Sequence, residues 1–170
     1  MKNPYICVYL RLSAEILLLG CLFTPVALAA PTERPNAELR QLLVEAVDAA
    51  DSFEHRYDAE VWLLDMSARL RRFVADDAQR LALLRMIHGE AVRAKLAPEL
   101  VLSVIDVESR FDRYAISSSG ALGLMQIMPF WLDEIGKPGD NLFNARTNLR
   151  LGCTILKYYL EKEKGNLFNA

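Results

Sequence analysis

Between Glu108 and Pro129 the chain reads ESRFDRYAISSSGALGLMQIMP. A carboxylate closes an apolar run, a serine- and glycine-rich loop follows, and a second apolar segment ends at a proline. With the preceding residues on a helical wheel at about 100° per residue, Val101, Val104, Ile105 and Phe111 fall within roughly 60° of Glu108. Ser103, Asp106 and Arg110 point the other way. A solvated glutamate belongs with Asp106, whereas Glu108 stands in the middle of the apolar stripe. Desolvation there favours the protonated acid, the form a general acid needs. A glutamate at a helix end, bridged to an arginine and purely structural, fits the wheel as well.

The residues after Glu108 add chemistry. Ser117, Ser118, Ser119 and Gly120 make a turn cluster, and Gly123 comes three residues later. Glycines this close to an acid let backbone approach backbone, or let a ligand approach backbone N–H groups. Gln126 places an amide inside the apolar run Leu124–Met128, where a buried polar group must find partners. The string E-S-x-F-x-x-x-A-x-S-x-x-G-A-x-G-L-M-Q-I-M-P resembles the signature of the soluble lytic transglycosylases, whose catalytic domain has a goose-lysozyme-like fold. Glu108, Ser109, Phe111, Ala115, Ser117, Gly120, Ala121 and Gly123 through Pro129 carry the match.

That resemblance implies an all-α, lysozyme-like domain acting on peptidoglycan glycan strands. Glu108 would be the single acid and base. It would protonate the glycosidic oxygen between N-acetylmuramic acid and N-acetylglucosamine, then take the C6 hydroxyl proton as a 1,6-anhydro ring closes. Ser117, Gly120, Gly123, Met125 and Gln126 would form the substrate-binding set, with Ser117 and Gln126 orienting the sugar and Met125 lining the groove. No cofactor or metal is implied. Asn148, Gly152 and Leu156 match a second block, N-x-x-x-G-x-x-Y-L, while Ile155 stands where an aromatic is usual. A third, tyrosine-bearing block would begin where the sequence stops, so residues 76–170 are expected to form a partial domain. Three activities stay open: transglycosylase, peptidoglycan-binding module without turnover, and hydrolysing muramidase using Asp112 or another acid to hold water.

Residues 1–29 have the form of an export signal: Lys2 and Arg11, an apolar centre from Ile16 to Phe23, and Ala27-Leu28-Ala29 as a cleavage site. Leu18-Leu19-Gly20-Cys21 offers the alternative of a lipid anchor on Cys21. Either places the protein in the cell envelope. Cys153 is then the lone cysteine of the remainder, a core candidate rather than a disulfide partner. His55 and His88 lack metal-ligand spacing. With 20 basic and 22 acidic residues, nothing points to nucleic acid.

From residue 30 to 75 the pattern predicts a short helical segment. Leu39, Leu42, Leu43, Ala46, Val47 and Ala50 mark one amphipathic helix. Leu63, Met66, Leu70 and Phe73 mark a second, starting near Asp58, with Trp62 read as core rather than as a sugar platform. Asp76 or Asp77 caps a third, carrying Leu81, Leu84, Ile87 and Ala91. Pro98 opens a fourth, Phe130–Ile135 is a short continuation, and Asn144–Leu160 is the last. Its Leu149, Leu156 and Leu160 are expected to lie on an uncovered edge.

Overall fold

Asp76 starts the helix around which the others pack. Its side chain accepts a hydrogen bond from the Gln79 backbone N–H at 2.7 Å, satisfying a donor that the first turn leaves unpaired. The computed structural model describes residues 37–48 and 50–167, all within one compact unit spanning Pro35–Ala170. The expected signal segment, with Ala27-Leu28-Ala29 and Cys21, lies outside the described residues.

Six helices follow in order: α1 Ala37–Asp48, α2 Arg56–Leu70, α3 Asp77–Arg93, α4 Pro98–Ser109, α5 Phe130–Ile135 and α6 Ala145–Lys162. Among the described residues there is no strand, only isolated antiparallel bridges joining Ile116 to Leu122 and Leu122 to Ile127. The fold is all-α. Central α3 packs against α1, α2, α4 and α6. Its predicted stripe is fully used, since Leu81, Leu84, Ile87 and Ala91 are all buried beside Leu43, Leu63, Val101 and Leu149.

Two differences from the sequence reading have simple causes. Helix α2 begins at Arg56, two residues before the expected Asp58, because His55 is extended and its carbonyl accepts from the Ala59 N–H. Leu149, expected on an open edge, is completely buried, because α6 lies against α3. Leu156 and Leu160 on the same face are partly covered. Cys153 is a core residue, its thiol pushed up to about 12 by burial, with Glu90 adding to the shift and Arg93 opposing it.

Two polar side chains enter the core from α3 without any apolar pattern to announce them. Arg80, 2% exposed, donates to Ser67 Oγ at 2.9 Å and to the Val74 and Ala75 carbonyls at 2.6 and 3.0 Å, and pairs with Asp77. It thereby ties the end of α2, the linker and the start of α3 together. His88 shares a 2.7 Å hydrogen bond with Ser52 Oγ through Nδ1. It stacks on Phe53 with ring centroids 3.5 Å apart and meets the edge of Trp62 at 4.9 Å. The Trp62 indole N–H donates to Glu99 at 2.8 Å, so Trp62 serves this cluster.

Burial lowers the His88 pKa, and Glu99 opposes the shift. A histidine kept neutral by the fold contributes stability that is complete above its unfolded pKa, about 6.5, and is lost as pH falls through the lower folded value. Thermal unfolding followed by circular dichroism from pH 7.5 to 4.5 should therefore show a decline beginning near pH 6.5. His88→Phe, which keeps the stacking and cannot take a proton, should flatten that step. An identical pH profile in both proteins would exclude His88 as its source.

Candidate active site

The loop from Ala115 to Ile127 is built on hydrogen bonds from its own backbone and from two helices. Inside it, Ser117 N–H donates to the Ala121 carbonyl at 3.0 Å, and Leu122 and Ile127 exchange two 3.0 Å bonds. Ser117 Oγ accepts from the Ala121 N–H at 3.0 Å, which leaves the hydroxyl proton available for donation. Gly120, at φ 86°, and Gly123, at φ 74°, take the left-handed conformations that the turns need. At Gly123 there is a second constraint: a Cβ would come within 2.5 Å of Asn148 Nδ2 and 2.6 Å of the Leu142 carbonyl.

Gln126 also lies in the left-handed region, at φ 47°. Its amide nitrogen donates to the Gly123 carbonyl at 2.9 Å and to the Ala115 carbonyl at 3.2 Å. Both amide protons are thus committed to the loop. Only its carbonyl oxygen is left to meet a ligand. The polar group that looked out of place in an apolar run is what closes the loop.

Asn148, on α6, was outside the candidate set and proves central. It is fully buried. Oδ1 accepts from the Met125 N–H at 2.8 Å, while Nδ2 donates to the Leu122 and Leu142 carbonyls at 2.9 Å each. An asparagine on the otherwise apolar buried face of α6, four residues before Gly152 in the second matched block, was the available sign. Gly152 matters for packing: a Cβ there would overlap Met125. Met125 is accordingly a core residue, 6% exposed. The side chain expected to line a groove packs against Gly152 of α6.

Glu108 stands in the last turn of α4. The apolar stripe below it is buried at Val101 and Ile105 and half-buried at Val104, as the wheel predicts. Glu108 itself is exposed, which corrects the expected desolvation: the stripe leaves the packed interior one turn before reaching it. Ser109 then anchors the helix end, its Oγ donating to the Leu124 carbonyl at 2.8 Å and lying 3.2 Å from the Ile105 carbonyl. The helix stops because Arg110 and Phe111 are both left-handed, at φ 52° and 66°. This turn sends the Phe111 ring into the core, 5.1 Å from that of Phe73.

The other nearby carboxylates are engaged. Asp106 pairs with Arg72 at 3.8 Å. Asp112 accepts from the Tyr114 N–H at 2.8 Å in a tight turn. The helix does not continue through Phe111, the condition under which Asp112 would share the face of Glu108. The structure thus ties the helix bearing Glu108, through Ser109, to the loop bearing Ser117, Gly120, Gly123 and Gln126. Ser109→Ala removes a hydrogen bond and should lower unfolding free energy by about 1 kcal/mol. Urea denaturation measures this, and an unchanged midpoint would show that the anchor contributes nothing.

Comparison with known proteins places this arrangement. A 34% identical match over 105 residues links the chain to the membrane-bound lytic murein transglycosylase C of Histophilus somni (strain 2336), covering 56% of this chain and 28% of that one. The protein of that name from Actinobacillus pleuropneumoniae serotype 5b (strain L20) is 41% identical over 46 residues, 27% of this chain and 13% of that one. The chain therefore spans less than a third of the length of these relatives. The crystal structure of the 70 kDa soluble lytic transglycosylase of Escherichia coli aligns with 75% of this chain and 25% of its own, at 18% identity and a TM-score of 0.40. The family model of the transglycosylase SLT domain matches residues 85–170, half of the chain and the whole of the site described above. The chain belongs to the transglycosylase SLT domain family.

Proposed function

We propose that this chain carries the catalytic centre of a peptidoglycan lytic transglycosylase, with Glu108 as its only acid and base. The observation that carries the reading is that the two acids nearest to Glu108 in sequence, Asp106 and Asp112, each have another partner, while Glu108 stands on a helix end tied to a polar loop. Two-carboxylate glycosidases need a second acid as base or nucleophile. Asp106 is held by Arg72 and Asp112 by its own turn. A mechanism closing the reaction within the sugar needs no second acid.

Glu108 gives its proton to the glycosidic oxygen between N-acetylmuramic acid and N-acetylglucosamine, breaking the bond from C1. The acetamido group of the substrate stabilises the cationic centre. The resulting carboxylate takes the proton from the C6 hydroxyl of the muramic residue, whose oxygen bonds to C1. Glu108 is regenerated, and the product end is a 1,6-anhydro sugar. The Ser117 hydroxyl donates to the substrate, and the Gln126 carbonyl oxygen accepts from it. Because Glu108 is exposed, the bound glycan must supply the cover that a general acid needs.

Mass spectrometry of fragments released from peptidoglycan sacculi tests this. Anhydro ends support the proposal, and reducing ends would assign the site to a hydrolase. The exposure of Glu108 favours one second reading, a module that binds peptidoglycan without turnover; binding with no released fragments would establish it. Export through residues 1–29, with Ala30 as the mature N-terminus, belongs to the same proposal, and a lipid on Cys21 is its alternative. Among the described residues no helix is long and apolar enough to cross a membrane. N-terminal sequencing of envelope material separates the two routes.

A further inference from the structure

Beside the end of α4 lies a recess of about 580 Å³ that the proposed cleavage does not use. Glu108, Ser117 and Gln126 do not line it. Its apolar floor includes Phe73, Leu83, Met86, Phe111 and Leu124. Gln79, Arg110 and Arg113 also line it, together with Asp76 and Asp112. Those two carboxylates accept from the N–H groups of Gln79 and Tyr114 at 2.7 and 2.8 Å. The cations are less engaged. Arg110 is exposed and pairs with no acid among the described residues. Arg113 donates to the Phe143 carbonyl at 3.2 Å and lies 4.9 Å from the centre of the Tyr114 ring, leaving other guanidinium N–H groups to bind.

An apolar floor beside two arginines suits a ligand with an apolar body and an anionic end, and the volume is that of a small-molecule site. We propose that this recess binds the terminal carboxylate of a short peptide. The carboxylate is held by Arg110 and Arg113, and the side chains lie on the floor made by Leu83, Met86 and Phe111. The Arg110–Tyr114 wall begins two residues after Glu108. A glycan strand crossing Glu108 therefore brings its own peptide branches to this wall, and those branches are the assigned source. That source assignment rests on the proposed glycan reading, whereas the peptide site itself does not.

The test is a titration of the isotope-labelled full chain, followed by amide shifts at Leu83, Phe111 and Tyr114. The probes are L-alanyl-γ-D-isoglutaminyl-L-lysine, whose one free carboxylate is its C-terminus, an all-L tripeptide without acidic side chains, and the C-terminal amide of each. Saturable binding of the first at dissociation constants of about 1 mM is expected. Amidation, which takes the charge from both arginine contacts, and Arg110→Gly, which removes one of them, should each weaken it at least about fivefold. Glycine accepts the left-handed conformation at position 110 without strain, so the variant should fold normally. Gln79→Trp, which places a bulky ring on the wall of this recess, should block binding.

Equal affinity for acid and amide, or no effect of Arg110→Gly, would overturn the carboxylate site, as would no saturable shift with either peptide. Binding of the all-L peptide alone would overturn the assigned source and point to a protein terminus. None of these readings depends on glycan cleavage, so failure of the cleavage assay would leave the peptide site standing.

Discussion

Glu108→Gln should lower release of soluble fragments from peptidoglycan by about 10²–10⁴-fold, the usual worth of a positioned general acid and base. It should leave binding to the insoluble polymer nearly intact. The amide keeps the shape of the carboxyl, and the side chain is exposed, so no packing is lost and the stability of the fold should not change. Asp106→Asn and Asp112→Asn should affect release far less. The first loosens a 3.8 Å ion pair to Arg72. The second can still accept from the Tyr114 N–H through its amide oxygen. Turbidity clearance of sacculi gives the rate, and co-sedimentation gives binding. Undiminished clearance by Glu108→Gln, or a greater loss at Asp112, would sink the single-glutamate mechanism.

The second large effect concerns stability. Asn148→Leu is close to isosteric, yet it leaves the Met125 N–H and the Leu142 carbonyl without their partner, while the Leu122 carbonyl keeps only its bond from the Ile127 N–H. Leaving a buried polar group without a partner costs about 1–3 kcal/mol. The two together should remove roughly 2–6 kcal/mol, a large part of a domain stability of about 5–15 kcal/mol. Gly123→Ala should act on the same atoms, since its methyl would displace Asn148 and the Leu142 carbonyl, with a left-handed backbone penalty added. Because the two changes break the same bonds, the double variant should lose clearly less than the sum of the singles. Denaturant unfolding of the four proteins measures this directly. Strict additivity would show that Gly123 and Asn148 act independently.

Local patterns carried most of the fold. The stripe of α3, its Asp76 cap, the Pro98 start of α4 and the brief α5 can all be read from spacing, because each depends on neighbours within a few residues. Polar groups in the interior could not be read that way. Arg80 and His88 are recognisable only once the α2–α3 linker, Ser52 and Phe53 are in place, and those partners come from other elements. The site divides similarly. Glu108, Ser117, Gly120, Gly123 and Gln126 stand out as chemistry or turn formers. The exposure of Glu108 depends on where tertiary cover stops, which a wheel does not contain. The seat that α6 offers Met125 at Gly152 likewise depends on a distant element.

That seat makes the loop sensitive to oxidants. Conversion of Met125 to its sulfoxide adds an oxygen and a dipole to a thioether pressed against a bare helix backbone. On the side facing Gly152 there is no room for the oxygen, and the buried surroundings provide poor solvation for the dipole. Methionine oxidation would therefore push α6 away from the loop and strain the Asn148 hydrogen bond to the Met125 backbone. The geometry around Glu108 is thus tied to the redox state of a sulfur that takes no part in the proposed chemistry.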